Sequence, residues 1–175
     1  MLQKLCFWLY AAVSASCQVA SAFVLKWSLP VPEFIEFTST SLVVPASPSE
    51  TWRVLTNETG SIFMGATFHT TWRQGDELVS EGEWDGNKYR DHGVLATVKP
   101  DSQLQFTQFN SMSGKPDTAE NYDLVTFDLL PEGEQTRVHL RLAKPVGVTP
   151  PGAEQVAALT KNLHLILDKL RNLLL

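Results

Sequence analysis

Cysteine is almost missing from this chain. Only Cys6 and Cys17 carry a thiol, both close to the N-terminus. A disulfide framework and a cysteine-based metal site are therefore excluded from the rest of the molecule. Histidine is scarce as well, and His69, His92, His139 and His164 stand at no metal-ligating spacing to one another. G-x-S-x-G, G-x-G-x-x-G, P-loop and H-E-x-x-H signatures are all lacking, so no nucleophile elbow, dinucleotide cradle or zincin helix is announced and no cofactor is expected. Positive charge is in deficit. Fourteen Lys and Arg face 19 Asp and Glu, for a net charge of −5, which speaks against a nucleic-acid partner and its basic footprint. No apolar run approaches the ~20 residues of a membrane-crossing helix.

What is present suits one folded domain. Of the 175 residues, 43% are hydrophobic and 19% charged, enough apolar material for a core. The first 32 residues read as an extension. Lys4, the apolar stretch Leu5 to Val13 and the small-residue end Ala20-Ser21-Ala22 follow the pattern of a secretory signal peptide over residues 1–22. The alternative is a plain extension ahead of an intracellular domain. The domain proper is expected over residues 33–175.

Glu33 to Val44 reads as a first strand, with Thr38, Thr40, Leu42 and Val44 on one face. Ser47-Pro48-Ser49-Glu50 follows. It offers an N-cap, a proline at the first helical position and a capping-box Glu, so a short helix starts there and stops at Asn57 to Gly60. From Thr67 the pattern is strand after strand: Thr67 to Trp72, Glu77 to Trp84, Lys88 to Val98, Gln103 to Phe109, Asn121 to Leu130 and Thr136 to Leu142. Asp85-Gly86 is a two-residue hairpin signal, since both positions tolerate positive φ. A Pro- and Gly-rich stretch, Lys144 to Gly152, breaks the pattern. Beyond it, Val156, Leu159, Leu163, Ile166, Leu170 and Leu173 recur at spacings of three and four, the stripe of a long amphipathic helix, widened by Leu167 and Leu174. The order predicts an α+β helix-grip fold: a curved antiparallel sheet of about six or seven strands around a long C-terminal helix, with a short helical segment after the first strand.

The segments SLVVPASPSETWRVLTN, TTWRQGDELVSEGEWDGNKYRDHGVLATVKPDSQLQFTQF and NYDLVTFDLLPEGEQTRVHLRL, followed by the amphipathic helix, resemble the SRPBCC superfamily of START-like and birch-pollen-allergen-like proteins. Within it they are most similar to the family related to the C-terminal domain of the activator of heat-shock protein 90 ATPase. The likeness runs from about Glu33 to the C-terminus. It departs at Glu58 to Ala66, where ETGSIFMGA replaces the family's Trp-rich consensus. The resemblance implies a small hydrophobic ligand held between sheet and helix, or a chaperone as partner in a stress setting, and a cytoplasmic location. A cleaved signal at residues 1–22 would instead place the protein outside the cytoplasm. The family supplies no universal catalytic set, so no catalytic residue is carried over. A co-chaperone-like regulator of a heat-shock protein ATPase and a cyclase- or hydrolase-type enzyme using the same cavity are the alternatives to a binding protein.

Read on their own, the aromatic residues divide between core filling and cavity lining. The candidate cavity set is Phe68, Trp72, Trp84, Tyr89, Phe106, Phe127, Leu163 and Leu167. Arg73, Tyr89, Asp91 and Tyr122 are the polar groups that could orient a ligand, and His164 adjoins the apolar stripe. Asp91 and His92 are neighbours on a strand, so their side chains should point to opposite faces.

Overall fold

The computed structural model describes residues 33–175. The readings on residues 1–32, both cysteines and the signal-peptide pattern among them, lie outside the described residues. Strand β1 (Phe34–Val44) leads into helix α1 (Pro48–Asn57) and the single-turn helix α2 (Thr59–Ile62). Strands β2 (Thr67–His69), β3 (Glu77–Trp84), β4 (Asn87–Lys99), β5 (Gln103–Phe109), β6 (Tyr122–Glu132) and β7 (Gln135–Pro145) follow, and helix α3 (Ala153–Leu173) ends the fold. The seven strands form one curved antiparallel sheet in the order β1-β7-β6-β5-β4-β3-β2. Sequential hairpins account for every neighbour except β1 and β7, which meet because the chain returns to its beginning.

Local chemistry sets the boundaries. The Ser47 side chain accepts from the Glu50 N–H at the start of α1, and Pro48 stands in its first turn. At the β3–β4 hairpin, Asp85 and Gly86 adopt φ of 50° and 76°, as the two-residue turn demands. One expectation needs correcting. The strand predicted over Thr67 to Trp72 stops at His69, because Trp72 turns to φ 58° and leaves the extended region. Helix α1 ends at Asn57, as expected, but a separate helical turn follows it. Glu58 bridges α1 to α2, and the turn closes only at Met64-Gly65, both at positive φ.

The concave face of the sheet is read from the residues that vanish from solvent. Leu95, Leu104, Phe106, Val125, Phe127, Leu129, Val138, Leu140 and Leu142 pack there with Leu163, Leu167 and Leu170 of α3 and with Val54, Leu55 and Ile62. Each fully buried large apolar side chain contributes on the order of 1.5–3 kcal/mol. The stripe on α3 is shifted slightly from its sequence reading: Leu167 is 1% exposed, whereas Leu173 is 44% exposed.

Helix α3 is also tied to β1 by polar contacts. The Thr160 hydroxyl donates to the Val156 carbonyl at 2.8 Å, so in its 2.5 Å contact with Thr38 it is the acceptor. His164 Nδ1 lies 2.9 Å from the Thr160 carbonyl, which can only accept. Nε2 is therefore the atom that meets the Thr40 hydroxyl at 2.8 Å. His164 serves as a strap between helix and edge strand.

Candidate functional site

Four aromatic rings occupy the middle of the concave face. Phe63 stacks on Phe68 at 4.5 Å between centroids and meets Phe127 edge-on at 6.0 Å, while Phe68 meets Phe106 edge-on at 5.8 Å. Phe106, Phe127, Leu163 and Leu167 are 0–4% exposed and belong to this packed core. Phe68 and Trp72 pack against it part-buried. Trp84 and Tyr89 stand apart, beyond the core toward the β3–β4 hairpin. The sequence pattern groups these eight residues as one set, and the structure distributes them over a buried core and an open end.

At that open end lies a cleft of about 380 Å³. Trp84 and Tyr89 come from the β3–β4 hairpin, Asp91 from further along β4, Met64 from the turn after α2, Asn110 and Met112 from the loop after β5, and Asn162 from α3. Three of the apolar walls remain open to solvent: Trp84 is 60%, Met112 47% and Met64 39% exposed. The Tyr89 ring lies over Gly82 of β3. A Cβ at that position would come within 2.5 Å of the phenolic oxygen, so only glycine leaves room for the ring.

Asp91 is the charged group of the cleft and is only 7% exposed. Its Oδ1 accepts from the Ser111 N–H and the Ser111 hydroxyl, both at 2.8 Å, and its Oδ2 accepts from Gln108 at 3.1 Å. These bonds fasten the start of the β5–β6 loop, where Asn110 caps a 3₁₀ turn by accepting from the Met112 N–H. Met112 is thereby presented to the cleft. Burial pushes the Tyr89 phenol above its ordinary range, and the Asp91 charge adds to the effect.

The same loop is held on the opposite side of the sheet. Tyr122 donates to Asp117 at 2.7 Å, and His92 Nε2 lies 3.1 Å from both Asp117 and Tyr122. His92 therefore points away from Asp91, as neighbours on a strand should. Tyr122 belongs to this second cluster and not to the cleft, and Arg73 is exposed on the loop before β3. No sequence signal points to Met64, Asn110, Met112 or Asn162. Two of the four sit in irregular segments with no periodic signal, and Met64 lies within the stretch that departs from the family consensus.

Chemically, the cleft offers surfaces to bind against more than groups to react with. Asp91 accepts from neutral donors at both oxygens, and among the described residues that line the cleft Tyr89 is the one other titratable group. Among the described residues no group of three His, Cys, Asp or Glu side chains is placed to hold a metal ion. No described helix is long and apolar enough to cross a membrane.

A curved seven-stranded antiparallel sheet gripping one long helix, open at the hairpin end, defines the helix-grip class of the SRPBCC superfamily. The model of the family described as activator of Hsp90 ATPase homolog 1-like protein matches residues 45–174, and the chain belongs to that family. Among solved structures it is similar to ChR145 from Cytophaga hutchinsonii, with 26% identity and a TM-score of 0.67 over 81% of this chain and 95% of that one. Ara h 8.0201 shares the fold at 8% identity, with a TM-score of 0.64 over 81% and 98% of the two chains. DynU16, a protein of the dynemicin biosynthetic locus, does so at 17% identity, with a TM-score of 0.57 over 79% of this chain and 46% of that one. No curated protein matches the sequence.

Proposed function

We propose that the protein is a non-enzymatic binding protein that takes a small hydrophobic ligand between its sheet and α3, through the cleft at Trp84 and Tyr89. The observation that carries this reading is the exposure of Trp84, Met64 and Met112 around one concavity. Large apolar side chains left open to water around a cleft of about 380 Å³ are the usual mark of a ligand site. Phe68 and Trp72 are part-buried against the core. Phe106, Phe127, Leu163 and Leu167 form the closed wall behind them, which a longer ligand would reach only by displacing side chains.

A neutral fluorescent hydrophobe, N-phenyl-1-naphthylamine, tests the reading. Its emission should rise on titration with the wild-type protein, and Trp84→Asp should weaken binding at least about tenfold with little change in Tm, since Trp84 is 60% exposed. Unchanged binding in that variant would remove the cleft from consideration. Family membership favours a second reading, in which the same apolar rim meets a chaperone and the protein acts as a co-chaperone-like regulator. Stimulation of a heat-shock protein ATPase by the wild type, lost in Trp84→Asp, would select it. The family also favours a cytoplasmic location, whereas N-terminal sequencing of the mature protein that began at about residue 23 would place it outside the cytoplasm.

A further inference from the structure

We infer that the cleft selects an organic cation, a protonated or quaternary amine carried on a small apolar body, by setting the ammonium group against Trp84 and Tyr89 beside the Asp91 carboxylate. The inference rests on the reading of the cleft as a ligand site and adds the chemical class of the ligand.

Asp91 is a negative charge almost removed from water, yet it lines an open cleft. Its partners, Ser111 and Gln108, are neutral, so they orient the carboxylate without cancelling its charge. Among the described residues no Lys, Arg or His forms an ion pair with it. The basic residues on either side of Tyr89 alternate away from the cleft: Arg90 engages Glu81 of β3 instead. Oδ2 accepts a single hydrogen bond and retains acceptor capacity.

The neighbouring walls suit a cation as well. Trp84 and Tyr89 present aromatic surfaces, and Asp91 lies two residues from Tyr89 on the same face of β4, about 7 Å along the strand. Aromatic faces attract ammonium groups through their quadrupole, most strongly where water is excluded. Met64 and Met112 complete the walls with polarizable thioethers. A neutral hydrophobe closing this cleft would strip the remaining water from Asp91 and return nothing to it, which costs free energy. An anion would add repulsion. A cation alone compensates the buried charge, so the physical order of preference is cation, then neutral, then anion.

The test uses benzyltrimethylammonium, its neutral carbon isostere neopentylbenzene, and the anion phenylacetate, each titrated into ¹⁵N-labelled full-length protein with Trp84 indole and Tyr89 amide shifts followed by NMR. The cation should bind about tenfold or more tightly than the isostere, and phenylacetate should leave both signals in place. Asp91→Asn should reduce the cation's advantage to about threefold or less. If that variant unfolds, Trp84→Ala serves in its place and should weaken the cation more than the isostere. An isostere that binds wild type as tightly as the cation would overturn the selectivity while leaving the cleft as a hydrophobe site. Shifts at neither residue with any of the three probes would overturn the cleft reading itself.

Discussion

The ring of Tyr89 lies across Gly82 on the neighbouring strand, so close that a methyl group there would stand 2.5 Å from the phenolic oxygen. Glycine at position 82 is thus a condition for the position of one wall of the cleft. Gly82→Ala should push the ring outward, since the atom in the way is the far end of a movable side chain. We expect a stability loss of about 1 kcal/mol and a several-fold loss of N-phenyl-1-naphthylamine binding. Denaturant midpoints and a fluorescence titration measure the two effects, and full binding in the variant would mean that the ring takes no part.

Gly93 behaves differently, because a Cβ there would meet the backbone carbonyl of Thr107 at 1.6 Å. The obstacle is the adjoining strand itself, also held by the bond from the Val94 N–H to the Thr107 hydroxyl. Gly93→Ala should cost about 3 kcal/mol or more, read as a shift of the urea midpoint. A shift below about 1 kcal/mol would show that β4 and β5 are not so closely apposed.

The strap between α3 and β1 should be separable from the core. Thr40→Val removes the hydroxyl that meets His164 Nε2 but keeps the side chain's shape, so a loss of about 1 kcal/mol is expected. Amide exchange should accelerate along α3 around residues 160–164 more than in β4 or β5. Uniform acceleration across the sheet would contradict a local tether.

Alkaline stability should depend on Tyr122. Burial first, then the hydrogen bond donated to Asp117 and the charges of Asp117 and Glu77, push its phenol well above the ordinary tyrosine range. A group whose pKa is higher in the folded than in the unfolded chain contributes stability below its unfolded value, near pH 10 for tyrosine, and that contribution is lost as pH rises beyond it. Wild-type Tm should therefore fall more steeply above about pH 10 than that of Tyr122→Phe. The variant should be about 1 kcal/mol less stable at neutral pH. Parallel curves for the two proteins would remove Tyr122 from the alkaline transition.

The architecture was legible in the sequence because its signals are periodic. The apolar spacing in α3, the Asp85-Gly86 hairpin and the Ser47-Pro48 cap each act within a few residues, and each holds in the structure. The strand read through Trp72 was not legible, because its alternation continues past the point where the backbone turns to positive φ. The site was legible only in part. Trp84 and Tyr89 come together across a hairpin, a local relationship, whereas Met64, Asn110, Met112 and Asn162 converge from segments far apart in the chain. Alternation identifies which residues share a face of the sheet. It cannot tell whether Phe106 and Phe127 line an empty space or fill it, since that depends on Phe63 and Phe68 reaching across from other elements.

Native mass spectrometry of the protein purified from cells under non-denaturing conditions, beside Trp84→Asp prepared identically, tests the ligand site most directly. Wild type should carry a bound small molecule, or take up N-phenyl-1-naphthylamine at one equivalent when offered it, and the folded variant should do neither. Wild type that arrives empty and refuses the probe, or a variant that retains the same mass as wild type, would contradict a ligand site at Trp84 and Tyr89.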